Sequence, residues 1–239
     1  MKIRIKFRKW GVMKFIGHLD MMRYFQKAVR RAGIDICYSQ GYSPHQIMSF
    51  AAPLGVGITS DGEYFDIEVN STASSAESIK ALNATMVDGV EVTSYRKLAD
   101  HAKTAMSMVA AADYCLTNKE GYDSFYSVQE WKEIIAEKFL NQPDFTIIKK
   151  TKKSERSVDL KPLVYSITVK EKDEKPCFFL QVSTGSTDNI KPELVLSSLY
   201  ERLGKSYDEN AIQIHRLEVY YRDENNQLLP LEAAGEEII

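Results

Sequence analysis

No apolar run in this 239-residue chain approaches the roughly 18 residues that a membrane-spanning helix needs. The start Met1-Lys2-Ile3-Arg4-Ile5-Lys6 alternates charge where a secretory signal would carry an unbroken apolar core, so a cytoplasmic protein is expected. Cysteine is scarce as well. Cys37, Cys115 and Cys177 are odd in number and far apart, which argues against a disulfide framework and against a local zinc or iron–sulfur motif; buried thiols are expected. Composition is otherwise ordinary for a globular protein, 44% hydrophobic and 27% charged, and the length suits one large or two small domains with cores of their own.

Acidic residues are nearly missing from the first fifty positions. Ten Lys and Arg face only Asp20 and Asp35 there, a local charge of +8. The whole chain is −2, so the remaining residues carry −10. Such asymmetry predicts that the N-terminal segment attracts polyanions and that the rest repels them.

The hydrophobic period switches between two and 3.6 in an order that occurs twice. Ile3, Ile5 and Phe7 alternate with Lys2, Arg4, Lys6 and Arg8 as in a half-buried strand. A helix follows over about 19–32, with Leu19, Met22, Phe25, Val29 and Ala32 as its apolar stripe, Arg23, Lys27, Arg30 and Arg31 opposite, and Gly33 as its stop. A short strand at 36–38, a Gly/Pro-rich loop over 40–62, a strand at 64–69, a helix capped by Ser74 or Ser75 and a strand at 90–95 complete β-α-β-β-α-β. The second half repeats the order with strands at 108–116, from 145, at 165–169, at 178–182 and at 217–221, and helices at 128–140 and 194–203. The reading is an α+β protein of two ferredoxin-like halves with antiparallel sheets. The expected domains are 1–105, with the basic helix and the His/Pro-Gly loop, 106–223, and a mobile acidic tail over 224–239.

Two of the four histidines fall in the basic segment. In Phe15-Ile16-Gly17-His18-Leu19-Asp20 a histidine and a carboxylate occupy a helix first turn, where unpaired N–H groups favour anions. Asp20 there serves the helix itself, or it joins His18 in a site. In Tyr38-Ser39-Gln40-Gly41-Tyr42-Ser43-Pro44-His45 a turn accounts for Gly41 and Pro44 but not for His45, and Tyr38 and Tyr42 are able to stack on bases. His18, Asp20 and His45 are therefore the candidate catalytic or metal-binding residues. The candidate nucleic-acid contacts are Arg23, Lys27, Arg30, Arg31, Tyr38 and Tyr42, with Lys149, Lys150, Lys152 and Lys153 from a second basic stretch. No recognisable cofactor motif is present, and a divalent metal remains open. His101 and His215 are expected to be solvent-exposed or in ordinary hydrogen bonds, and Trp10 and Trp131 to serve packing.

The runs Phe15 to Asp20, Arg30-Arg31-Ala32-Gly33 and Tyr38 to His45, followed by Pro53-Leu54-Gly55 and Glu63-Tyr64, resemble the radical SAM-linked protein family. That is a bacterial group of domains encoded beside, or fused to, B12-binding radical SAM proteins. Weaker echoes are Asp159-Leu160-Lys161-Pro162-Leu163 and Asn189-Ile190-Lys191-Pro192-Glu193. Gly17 stands where that family usually has serine, and Gln46 where a second proline is common. The resemblance implies an accessory role beside a radical SAM partner in RNA modification or processing, because the chain lacks the Cys-x3-Cys-x2-Cys run that would bind the cluster itself. Three functions stay open: an RNA-binding adaptor, a metal- or His-dependent RNA-processing enzyme, and a subunit that only docks on the radical SAM protein.

Overall fold

The computed structural model describes residues 1–150, 155–185 and 188–239, with the side chains of Lys149 and Lys150 left out. Along the chain run β1 (Lys2–Lys9), α1 (His18–Arg31), β2 (Met48–Ala51), β3 (Thr59–Glu68), α2 (Ser75–Asn83), β4 (Val90–Leu98) and the single turn α3 (Ala105–Met108). Then come β5 (Val109–Asn118), α4 (Val128–Ile135), β6 (Thr146–Lys150), β7 (Glu155–Asp159), β8 (Val164–Lys172) and β9 (Lys175–Ser183). Last are α5 (Pro192–Arg202), β10 (Ile212–Arg222), β11 (Leu228–Pro230) and β12 (Gly235–Glu236). The chain divides into two compact units, Met1–Ala110 with Arg216–Ile239, and Ala111–His215.

In the first unit the strand order β4-β1-β3-β2, with every neighbour antiparallel, is that of a split βαβ or ferredoxin-like fold. Ile3, Ile5 and Phe7 of β1 point into the core, as their alternation requires, and meet Phe25 and Val29 of α1, Phe65 and Ile67 of β3 and Val92 of β4. Phe7 and Phe65 both pack on Phe25, each with ring centroids 4.6 Å away. The buried stripe of α1 is Met21, Phe25, Ala28 and Val29. It is rotated from the expected one: Leu19 is exposed and Met22 only half-buried. The expected strand at 36–38 shrinks to two isolated bridges, Ile36 with Val69 and Tyr38 with Gln46, and the strand beside β3 is instead β2. Ser74 caps α2 in a reciprocal capping box with Glu77.

Residues after 223 do not form a loose tail. Leu231 is fully buried, Gly235 and Glu236 pair with Leu98 and Lys97 of β4, and Ser75 and Ile238 exchange two hydrogen bonds. An acidic composition led to the opposite expectation, but Glu232 is held by Lys6 and the chain ends lie against the first unit's own strands. Gly62 is required where β3 passes β10: a Cβ there would lie 3.0 Å from both the Glu218 Cα and the Leu217 carbonyl.

The second unit has the strand order β10-β5-β9-β8 with α4 and α5, again ferredoxin-like, and its β10 residues are those before Arg216. Its core centres on fully buried Trp131, whose ring meets Phe178 at 4.9 Å and Tyr200 at 5.4 Å. Ser127 and Glu130 form the capping box that starts α4, and a π-helical turn, Ala136–Leu140, ends it. The strand expected from Phe145 pairs with β7 in a separate two-stranded hairpin, so it is an insertion in the repeated order. Cys115 and Cys177 are a disulfide rather than free buried thiols, while Cys37 is free. The antiparallel register sets Cys115 opposite Phe179 and Cys177 opposite Thr117, which makes residues 62 apart in sequence diagonal neighbours on one face.

Candidate nucleic-acid interface

Helix α1 presents Arg23, Lys27 and Arg30 at spacings of four and three, so their side chains share one outward face. The loop after the helix folds back toward that face. Ser39 N–H donates to the His45 carbonyl at 2.8 Å, Ile47 N–H to the Cys37 carbonyl at 2.9 Å, and Gln46 Nε2 to the Gln26 carbonyl at 3.2 Å. Gln46, not a proline, is thus the residue that pins the loop to the helix. The result is a groove of about 330 Å³ lined by Arg23, Gln26, Lys27, Arg30, Tyr38, His45 and Gln46.

The groove joins cations to groups that donate hydrogen bonds and stack. Ser39 Oγ lies 2.9 Å from His45 Nδ1 and accepts from the His45 N–H at 3.1 Å, which fixes the ring and leaves Nε2 as the nitrogen available to a ligand. Tyr38 is 48% exposed, and an exposed aromatic side chain is the kind of group on which bases stack. Gln46 is buried, and its Oε1 accepts no hydrogen bond among the described residues. Arg23 keeps one ion pair, to Asp20 at 3.1 Å, but both side chains are about two-thirds exposed and solvent weakens the attraction. Lys27 and Arg30 have no acidic partner among the described residues.

Most other cations of the basic segment are already neutralised. Arg4 is buried against Asp66, Lys6 reaches Glu218 and Glu232 at 2.6 and 2.7 Å, and Arg8 reaches Asp61 and Glu91. Burial alone would lower the Lys6 ammonium, yet its hydrogen bonds to the two glutamates push its pKa up. Arg31 turns away from the groove to donate to the Thr85 carbonyl, and Tyr42 stands fully exposed outside it. Lys149 and Lys150 end β6 without described side chains, and Lys152 and Lys153 lie outside the described residues.

The structure does not assemble His18, Asp20 and His45 as one set. His18 is half-buried, edge-on to Phe50 at 5.4 Å; Asp20 holds Arg23; His45 belongs to the groove. Among the described residues no three His, Cys, Asp or Glu side chains come together as a metal-holding group.

A buried charge cluster escaped the sequence reading. Glu63 lies 3.8 Å from both Lys9 and Arg216, and all three are nearly inaccessible. Burial pushes the Glu63 carboxyl up against the pull of Arg216, Lys9 and His18, and burial lowers the Lys9 ammonium. Arg216 also donates to the carbonyls of Gly62 at 3.2 Å and Ala52 at 2.6 Å. Lys9 stands two residues beyond Phe7 and so on the core-facing side of β1 with Ile3, Ile5 and Phe7; the alternation announces that face, but not the buried partner Glu63, which is remote in sequence.

No curated protein matches the chain. Among solved structures it is similar to a chain of a Cbf5–Nop10–Gar1 complex, with a TM-score of 0.49 and 12% identity over 93% of this chain; it spans 50% of that chain's length. It is also similar to an unknown protein from Galdieria sulphuraria, with a TM-score of 0.24 and 11% identity over 90% of this chain and 96% of that one. A family model described as an uncharacterized protein conserved in bacteria (DUF2344) matches residues 2–192, about four-fifths of the sequence, and the chain belongs to that family.

Proposed function

We propose that this protein is an accessory RNA-binding protein, with the α1 groove as its RNA contact, and that it works with a B12-binding radical SAM enzyme in RNA modification or processing. One observation carries the RNA part: Arg23, Lys27 and Arg30 converge with Tyr38 and His45 on a single groove. Cations supply sequence-independent attraction to phosphates, and an exposed ring supplies a stacking platform. An acidic protein surface would use the cations but has no need of the tyrosine face. The enzyme partner rests on the resemblance of 15–20 and 38–45 to the radical SAM-linked family; Tyr38 and His45 of the second run line the groove.

The test is binding of structured and single-stranded RNA by the full chain at low and moderate salt, beside co-purification with the cognate radical SAM protein. Affinity that falls steeply with salt supports the adaptor. If Arg23→Gln and Arg30→Gln abolish the protein complex and leave RNA binding untouched, the groove is a protein dock and the RNA assignment fails.

A further inference from the structure

The second unit carries a pocket of its own, of about 290 Å³, lined by none of the residues of the α1 groove. Four of its ten lining residues are aromatic, Tyr122, Phe125, Tyr200 and Tyr207. Phe125 meets the Tyr200 ring edge-on at 5.9 Å, and Tyr200 meets Tyr207 edge-on at 5.5 Å. Four rings and a volume near the lower bound for ligand sites favour a small flat molecule.

Two residues that line the pocket each carry a buried polar atom without a partner among the described residues, Asn118 Oδ1 and the Tyr207 hydroxyl. Asn118 is 9% exposed, and its Nδ2 is committed to the Asp123 carbonyl at 3.2 Å, which fixes the amide and leaves Oδ1 as a pure acceptor. The Tyr207 phenol is held protonated, because burial and the charges of Glu193, Glu209 and Asp208 all push its pKa up. It is therefore able to donate. An unpaired buried acceptor and an unpaired buried hydroxyl on residues lining one pocket each cost free energy until a partner answers them.

We propose that this pocket binds a nucleobase, with the ring against the aromatic residues, a ring or exocyclic N–H donating to Asn118 Oδ1 and a neighbouring ring nitrogen or carbonyl oxygen accepting a hydrogen bond from the Tyr207 hydroxyl. The charged groups at the pocket suit a base rather than its phosphate. Asp123 and Asp208 belong to the lining, so a phosphate inside would be repelled, while Lys205 lies 5.5 Å over the Phe125 ring and Lys175 donates to the Tyr122 carbonyl at 3.3 Å, placing ammonium groups where a phosphate outside the pocket could reach them. The base could belong to a free nucleoside or to single-stranded RNA; the chemistry recognised is the same. The proposal does not rest on the α1 groove.

The full chain is titrated with uridine, with 3-methyluridine, whose ring N–H is blocked, and with a short single-stranded oligouridine. The readout is fluorescence of Trp131, which packs against Tyr200, in a Trp10→Phe background. Uridine is expected to change the emission saturably, and 3-methyluridine to bind at least about tenfold more weakly because it leaves Asn118 Oδ1 unanswered. Tyr207→Phe is expected to weaken uridine by a similar factor. It keeps the ring, so a loss reports the missing hydroxyl alone. Tighter binding of the oligonucleotide than of uridine assigns the base to RNA, and equal affinities assign it to free nucleosides. No saturable response to uridine or oligouridine, or equal binding of uridine and 3-methyluridine, overturns the proposal. Arg23→Gln with Arg30→Gln, which tests the groove, should leave uridine binding unchanged.

Discussion

Arg4 and Asp66 stand directly opposite each other on β1 and β3 and join through two hydrogen bonds, Nε to Oδ1 at 2.9 Å and Nη2 to Oδ2 at 3.1 Å. The guanidinium also donates to the carbonyls of Leu231 and Lys103, and Asp66 Oδ2 accepts the Ala105 N–H at 2.6 Å. A charge that looked free to attract a polyanion is thus a buried tie between β1, β3 and the C-terminal segment.

Breaking that tie from one side leaves the other charge buried and uncompensated. Asp66→Asn is expected to destabilise the protein by about 3–5 kcal/mol. Denaturant unfolding followed by circular dichroism checks it, and a loss below about 1 kcal/mol would mean that Arg4 finds another partner.

The groove cations should show in the salt dependence of RNA binding. Losing three phosphate contacts on single-stranded RNA flattens the slope of log K against log salt by about 2. Arg23→Gln, Lys27→Gln and Arg30→Gln combined should do this, while Arg31→Gln, whose guanidinium serves Thr85, should leave the slope unchanged. Equal effects of the two variants would show that charge near the helix matters but the groove does not.

Glu63 gives a pH signature. Its folded-state pKa is raised by burial, so the folded state holds the proton more tightly than the unfolded one. The stability this gives is fully present below the ordinary glutamate value of about 4.3 and is lost as pH rises through the raised folded value. Glu63→Gln mimics the protonated form. Relative to wild type, it should therefore gain stability as pH rises from about 4 toward neutrality, read from thermal melts across that range. A difference that is flat or shrinks with pH would show that the attraction of Lys9 and Arg216 outweighs desolvation.

Ser127 is expected to contribute about 1 kcal/mol through the capping box of α4. Ser127→Ala measures it by denaturant midpoint. Residue Lys191, which begins α5 without any side-chain cap, is the comparison: Lys191→Ala should change stability by less than half as much.

Local signals revealed most of the elements because they are properties of neighbouring residues. The alternation of Ile3, Ile5 and Phe7, the Ser74 cap and the helical period around Trp131 and Ile135 each act within a few positions. The α1 stripe is rotated by part of a turn from the expected one: Leu19 and Met21 fit a helical period with Phe25 equally well, and only packing of the helix on the sheet, where Phe25 meets Phe50 and Phe65, buries Met21 and leaves Leu19 exposed. Of the candidate site, the sequence marked Arg23, Lys27, Arg30, Tyr38 and His45. It did not mark Gln46, whose role depends on a carbonyl twenty residues away.

By itself the sequence determined the two-fold run of strands and helices and the rich supply of cations near the N-terminus, because periodicity and composition are written in order along the chain. Which of those cations remain available was decided by tertiary structure alone. Folding brings Asp66, Glu218 and Glu232 against β1 from 62 to 226 positions away and neutralises Arg4 and Lys6, while α1 turns Lys27 and Arg30 outward, where no acidic partner reaches them among the described residues. Charge summed along a chain predicts an electrostatic field only when the opposite charges do not fold back onto it, and pairing across antiparallel strands is the long-range event that local sequence does not encode.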